Sequence, residues 1–370
     1  MTSSDRKYKI LHTEASCGWG GQDIRVFQEL LAMRARGHQV ALCAPVEAQV
    51  YKHAQAAGIP VYPLSVSKPG YPLAIWRLRN LLKREKFDVI NTHSSRDGWI
   101  GGVASRLAGT PLSIRSRHIE VDYKTPAINR IAFAKLCDYV ITTSDRISER
   151  LVAELGLAPD RVGCIATGID LAQFNPDAAG TLHAELNLNP AIPLVGMVAV
   201  LRSWKGHPFM LEAAARISRH HPEVRFVFAG GTTPSNELLA QVKRLSLEDR
   251  VHWLGHRTDI PAVLGSLTVQ VLSSTGHEGV PQAILQGQAC GKAIVATRVG
   301  GIPQVITHDR DGLLVEPRDA DALAESILLL LQDAGLRERL SRAAVARAHP
   351  AYGLDHMCAS LESLYQKLLG

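Results

Sequence analysis

At 370 residues the chain is longer than the usual single domain, and 46% hydrophobic with 21% charged residues fits a globular two-domain enzyme rather than a fibrous or disordered chain. No run of eighteen apolar residues occurs and the opening MTSSDRKYKI has no apolar signal core, so neither a membrane-spanning helix nor export is expected and the chain is placed in the cytoplasm. The net charge of +6 is uneven: residues 1–170 carry 23 Lys and Arg against 16 Asp and Glu, residues 171–370 carry 18 against 19, so an anionic partner is expected on the first half.

Residues 8–13 predict a first strand, and residues 14–21, reading EASCGWGG, a glycine-rich loop. Residues 22–36 have helical spacing, with Ile24, Phe27, Leu30 and Leu31 on one face, and residues 39–44 predict the next strand. This opening is Rossmann-like, but Gly18, Gly20 and Gly21 do not make the dinucleotide fingerprint G-x-G-x-x-G. Further strands are predicted over 61–64, 87–92, 112–116, 139–143 and 162–165. Between them, residues 73–86 predict a helix that sets Trp76, Leu78, Leu81 and Leu82 among Arg77, Arg79, Lys83, Arg84 and Lys86. A basic amphipathic helix of this kind suits an anionic membrane surface, and equally a packed helix with a solvated basic face. His93 and Asp97 follow one strand end, and Arg117 and His118 follow another, with an irregular loop over 119–123. Ser144 suits a helix cap. Residues 175–191, rich in Asn, Ala and Pro, predict a linker.

In the second half, strands are predicted over 194–200, 225–229, 251–254, 267–272 and 293–297, with a helix over 208–219. Two helices are predicted between 320 and 347, a break at His349-Pro350, and a last helix over 354–369. The alternation of strand and helix implies parallel sheets. Six cysteines without a CxxC pair argue against a disulfide frame or a zinc site. With no Asp-x-Asp at a strand end and no His/Cys cluster of ligand spacing, no metal and no other cofactor is expected.

The richest stretch is 271–306, VLSSTGHEGVPQAILQGQACGKAIVATRVGGIPQVI. It reads strand, loop, helix from Pro281, strand, Gly300-Gly301 turn, helix. Glycine-flanked loops that feed helix starts aim backbone N–H groups at one place and bind phosphate there. Two such loops at neighbouring parallel strand ends lie where open α/β sheets take ligands. Glu278 beside a phosphate is explained as an acceptor for ligand hydroxyls, as on a sugar.

These residues resemble the C-terminal signature of the retaining glycosyltransferases of family 4: Glu, seven residues, Glu, with Gly and Pro after the first acid and a Gly-Gly turn downstream. Here the first acid is Glu278, the second position is Gln286, and the usual Pro-Glu after the turn is Pro303-Gln304. Thr167-Gly-Ile-Asp170 with Phe174 resembles the family's Asn-Gly-Ile-Asp…Phe turn. The resemblance implies an α/β fold of the GT-B type: two Rossmann-like, doubly wound parallel-sheet domains facing across a cleft. The first would span 1–175, completed by a returning helix over 352–370, and the second 190–348. A nucleotide-sugar, UDP- or GDP-linked, would sit on the second domain and a glycan acceptor on the first.

The resemblance also implies roles. Gly20 and Gly21 would lie over the donor phosphates, and Gly279, Val280, Pro281, Gln286 and Arg257 would bind the rest of the donor. An amide at Gln286 still accepts a ribose hydroxyl, without the charge of an acid. Lys205 and Arg202 would neutralise the departing diphosphate, Arg202 standing in for the family's Arg five residues before the Lys, which is Val200 here. Glu278 and His118 would hold the transferred sugar, and His93, Asp97 and Arg117 would face the acceptor. The acceptor is expected to be an anionic or lipid-linked glycan, such as a lipopolysaccharide or polysaccharide intermediate, with peripheral contact at the cytoplasmic face of the inner membrane. Two rival functions stay open: a nucleotide-sugar epimerase of the same fold, which would need protein acid and base groups, and a non-catalytic binder of anionic glycan or nucleic acid. At 5% aromatic residues the chain is poor in base-stacking side chains, so nucleic acid is not expected as a partner.

Overall fold

The computed structural model describes residues 6–120, 125–231 and 233–370. The chain divides into two compact units, Met1–Gly168 with Leu354–Gly370, and Ile169–Gly353. Among the described residues no helix is long and apolar enough to cross a membrane.

The first unit runs β1 (Lys9–Thr13), α1 (Gly21–Ala35), β2 (Gln39–Ala44), α2 (Gln49–Ala56), β3 (Val61–Pro63), α3 (Tyr71–Glu85), β4 (Val89–Thr92), α4 (Ser95–Ala108), β5 (Leu112–Arg117), α5 (Pro126–Ala134), β6 (Tyr139–Thr142), α6 (Asp145–Leu155) and β7 (Val162–Cys164). Its strands lie in the order β3-β2-β1-β4-β5-β6-β7, every pair parallel. Helices cover both faces, which is why Ile10, Leu11, Leu42, Val89, Ile90 and Ile114 are all buried in near-continuous apolar runs. The chain order reverses between β1 and β4, and there a parallel sheet opens a crevice at its carboxyl ends. Ser144 caps α6 as expected, its Oγ accepting from the N–H of Ile147 at 3.3 Å. The loop predicted over 119–123 continues into residues 121–124, outside the described residues.

The second unit runs α7 (Leu182–Glu185), β8 (Leu194–Val198), α8 (His207–His220), β9 (Arg225–Ala229), α9 (Asn236–Arg244), β10 (Val251–Gly255), α10 (Ile260–Ser266), β11 (Val269–Leu272), α11 (Gln282–Ala289), β12 (Ala293–Thr297), α12 (Ile302–Val305), β13 (Leu313–Val315), α13 (Ala320–Gln332) and α14 (Ala334–Ala351). Its parallel sheet has the order β10-β9-β8-β11-β12-β13, with the reversal between β8 and β11.

Two expectations need correction here. Residues 175–191 are not a free linker: Leu182 is fully buried, its N–H donates to Ser266 Oγ at 3.0 Å, and Gly180 packs on the Ser266 backbone. Nor does His349-Pro350 break the chain, since α14 runs on to Ala351. Pro350 stands in the last turn, where its missing N–H forfeits a single helical bond, and Tyr352 N–H closes the end on Ala348 O at 2.9 Å.

The last helix, α15 (Leu354–Leu369), belongs to the first unit. Met357, Cys358, Leu361 and Tyr365 are buried in one core with Ile10, Leu30 and Met33. At its rim Arg36 grips Glu362 through two N–H···O bonds of 3.1 and 2.7 Å.

Candidate active site

In the second unit two loops at adjacent strand ends, after β8 and β11, are hydrogen-bonded to each other. Thr275 N–H donates to Trp204 O at 2.7 Å, and Ser273 Oγ to Gly206 O at 2.9 Å. Gly206 sits at φ +75°, and a Cβ there would fall 1.7 Å from Ser273 O, so only glycine lets the loops meet. Lys205 and Glu278 are thereby brought together: Lys205 Nζ lies 2.6 Å from Glu278 Oε1, which also accepts from Ser274 Oγ at 2.5 Å. Glu278 is only 5% exposed. Its position is set again from the next strand end, where Gly300, at φ +55°, would place a Cβ 2.0 Å from Glu278 O, and Gly301 N–H donates to that oxygen at 3.3 Å. A buried charge pair of this sort needs its partner, and a ligand with both phosphate and hydroxyl groups can take over either side.

In the first unit the carboxyl ends of β1, β4 and β5 bring three imidazoles into a line. His12 Nδ1 is 2.8 Å from His93 Nε2, and His93 Nδ1 is 3.0 Å from His118 Nε2. Burial foremost, with the nearby Arg25 cation, holds His12 at about 3, and burial also holds His93 and His118 well below the ordinary imidazole value, so all three stay neutral. Glu14, fully buried in the glycine loop, accepts from the N–H groups of Ala15 and Ser16 and from Gln22 Nε2. Burial, aided by the Asp97 charge, pushes its carboxyl up to about 8.

The model for "Glycosyltransferase Family 4" matches residues 19–173, and that for "Glycosyl transferases group 1" matches 180–347. The UDP-Gal:alpha-D-GlcNAc-diphosphoundecaprenol alpha-1,3-galactosyltransferase of Escherichia coli is 30% identical over 272 residues, covering 69% of each chain. The chain belongs to the glycosyltransferases of family 4. Another relative, the D-inositol 3-phosphate glycosyltransferase of Mycobacterium ulcerans, is 24% identical, covering 95% of this glycosyltransferase and 82% of that one. In fold it is similar to HepE of Anabaena, whose crystal structure holds UDP and glucose, at a TM-score of 0.87 and 21% identity, covering 97% of this chain and all of that one. The two parallel-sheet units are of the GT-B type.

The site residues expected of the glycosyltransferase fall into distinct settings. Lys205 and Glu278 touch, as do His93 and His118. Gly279, Val280 and Pro281 are buried between Glu278 and α11, with Pro281 at the N-cap of that helix rather than in its first turn. Because α11 begins at Gln282, Glu278 lies off the helix, and the eight-residue spacing to Gln286 is no helical repeat; Gln286 itself is buried on α11. Arg202 is exposed, its guanidinium 6.0 Å from the Trp204 ring centre. Gly20 caps α1 and donates its N–H to Asp23 Oδ2 at 2.9 Å, and Gly21 opens the helix. Arg117 ends β5, half-buried.

Three settings do not suit the direct contact expected of them. His93 is 2% exposed with both ring nitrogens engaged, by His12 and His118, so it does not face an acceptor. Asp97 is fully buried, and its oxygens accept from Thr13 Oγ, the N–H of His93 and the N–H and Oγ of Ser94, so it caps α4 and fixes His93 instead of facing an acceptor. Arg257 is taken by two carboxylates, Glu185 and Asp259, with two bonds to each. Sequence reading also passed over His12, Glu14 and Glu29. His12 reads as one more position in a buried strand and Glu29 as a solvated helix residue; each is at most 1% exposed.

Proposed function

We propose that this glycosyltransferase moves a hexosyl group from a UDP- or GDP-sugar to a lipid-linked or otherwise anionic glycan, with retention of configuration, without a metal, at the cytoplasmic face of a membrane. The observation that carries this is the Lys205–Glu278 pair, pinned by Gly206 and Gly300 at adjacent strand ends. In the reaction the bond from the anomeric carbon to the β-phosphate oxygen breaks. The acceptor oxygen bonds to that carbon on the same face, and its proton passes to the departing phosphate oxygen. Lys205, aided by Arg202, meets the growing phosphate charge, while Glu278 holds sugar hydroxyls and His118, on the first unit, takes a substrate hydroxyl. No protein base is required.

For the donor, the E. coli relative is named for UDP-Gal, and the HepE crystal holds UDP and glucose. For the acceptor, that relative's name gives a sugar on diphosphoundecaprenol. On this chain α3 exposes Leu73 and Trp76, at 50 and 58%, over an apolar cavity of about 410 Å³ lined also by Leu64 and Leu81, with Arg77 and Arg84 beside it. Apolar side chains amid cations suit an anionic lipid surface.

The test is thermal shift with UDP, GDP and ADP, each with its sugars, followed by transfer to GlcNAc-diphospho-lipid with and without EDTA. A nucleotide at about 100 times its Kd should add roughly 2.7 kcal/mol of stability. Isomerised donor without transfer would mean an epimerase; binding without any turnover would mean a non-catalytic protein; activity lost to EDTA and restored by Mg²⁺ would overturn the metal-free step.

A further inference from the structure

Behind His118 runs a line of buried side chains for which the reaction above has no use. The three imidazoles come from neighbouring strand ends, and their exposure rises along the line: 0% for His12, 2% for His93, 8% for His118. At the inner end, Glu29 on α1 has Oε1 3.8 Å from His12 Nε2, and Arg25 Nε is 3.9 Å from Glu29 Oε2. Arg25 and Glu29 are each 1% exposed, and Arg25 Nη1 donates to Thr167 Oγ at 3.0 Å.

A neutral imidazole has one N–H and one lone pair. Both nitrogens of His93 are engaged, one by each neighbour, so the line has only two consistent directions. Among the described residues His12 Nε2 has no hydrogen-bond partner, and the polar group it faces is the Glu29 carboxylate. A lone pair turned to a carboxylate in a buried setting is repelled, whereas an N–H is attracted. With the proton on His12 Nε2, its Nδ1 must accept from His93 Nε2–H, and His93 Nδ1 must accept from His118 Nε2–H. His118 is then left with a bare Nδ1.

We propose that Glu29, held by Arg25, sets this direction, so that His118 presents Nδ1 as a hydrogen-bond acceptor to a substrate hydroxyl. Glu29, His12 and His93 are positioning residues. The hydroxyl is that of the donor sugar or of the acceptor, so the inference rests on the reading of the site given above.

The experiment is NMR of the full chain labelled with ¹⁵N-histidine, where two-bond ¹H–¹⁵N couplings report which ring nitrogen carries the proton. All three histidines should be Nε2–H at pH 7.5; a proton on His118 Nδ1 overturns the proposal without any variant. In Glu29→Gln the amide oxygen is drawn to Arg25, which leaves the amide N–H against His12 Nε2, and the line should turn around. His118 should then become Nδ1–H, with kcat/KM lower by about tenfold, the worth of one net hydrogen bond near the top of its usual range. Because that change leaves Arg25 unpaired in the core, the wild-type tautomers remain the test should the variant not fold. His118 remaining Nε2–H in folded Glu29→Gln overturns the proposal. The tautomers are read without sugar substrates. Absence of transfer would therefore sink the functional reading alone, while a wrong tautomer in an active enzyme sinks the inference alone.

Discussion

Lys205 and Glu278 hold each other at 2.6 Å; on the proposed function each also turns to ligand atoms when a nucleotide-sugar binds. Removing a positioned donor to developing charge costs about 10²–10³ in kcat, roughly 3–4 kcal/mol. Lys205→Ala should show that loss in a chain that still folds, with a lowered melting temperature because the buried Glu278 loses its partner, and Arg202→Ala, on an exposed side chain, a smaller loss. Glu278→Gln should cut transfer while calorimetry finds the affinity for bare UDP or GDP nearly unchanged; lost nucleotide affinity with normal turnover at saturation would refute the sugar role. Ionisation gives a second prediction at this scale. Glu14 holds its proton up to about pH 8 in the fold against an ordinary 4.5, so the folded chain binds more protons than the unfolded one across that window. Its contribution to stability therefore falls as pH rises from 4.5 to 8. His12, at about 3 against 6.5, acts in the opposite sense: the unfolded chain takes up the proton first, so stability falls as pH drops below 6.5. Urea unfolding at pH 6.5 and 8.0 should show wild type losing about 1–2 kcal/mol more than Glu14→Gln over that span. Equal losses would mean that Glu14 is ionised in the fold.

At the scale of elements, α3 bears on two readings that its sequence left open. Its apolar face is divided: Ala74, Leu78, Leu81 and Leu82 are buried in the unit, while Leu73 and Trp76 stay outside beside Arg77 and Arg84. On the proposed function the exposed pair and the cations beside it meet a lipid surface. Charge reversal at Arg77, Lys83 and Arg84 should abolish co-sedimentation with anionic vesicles, each cation near the surface contributing about 1 kcal/mol. Trp76→Ala should weaken it as well; unchanged sedimentation and unchanged activity on a lipid-linked acceptor would exclude the membrane role. The strands were legible because parallel strands covered on both faces are short apolar runs, as at Leu194–Val198 and Ala293–Thr297. Helices α7, α9 and α10 were not, since four to nine residues carry too few turns to display a period; the equally short α11 and α12 were read from Pro281 and the Gly300-Gly301 turn instead, and β13 has only three residues. In the site, Lys205 and Glu278 were legible as residues after strand ends beside glycines. The His12–His93–His118 line was legible only in part, because adjacency across β1, β4 and β5 depends on sheet order and not on any local pattern.

At the scale of the whole molecule, the chain leaves the first unit at Gly168 and returns to it at Leu354, so the two units are not equally self-contained. The second is one unbroken stretch, Ile169–Gly353, with its sheet and covering helices entire. The first lacks α15 until the chain has returned, and α15 supplies Met357, Cys358, Leu361 and Tyr365 to a core with Ile10, Leu30 and Met33. Each large apolar side chain so buried is worth about 1.5–3 kcal/mol. Three or four of them together rival the roughly 5–15 kcal/mol by which a domain is stable at all. The fragment 169–353 should therefore melt cooperatively on its own and, on the proposed function, bind UDP or GDP in calorimetry. The fragment 1–168 should not fold, and a protein joining 354–370 to it through a flexible linker should regain a cooperative transition. Leu361→Ala in the intact chain tests the same core more gently. It should cost about 2–5 kcal/mol and do so in the transition of the first unit, read by urea unfolding, while the affinity for nucleotide stays as it was. Cooperative melting of 1–168 alone, or loss of nucleotide affinity in Leu361→Ala below its unfolding range, would show that the returning helix does not complete the first unit in this way.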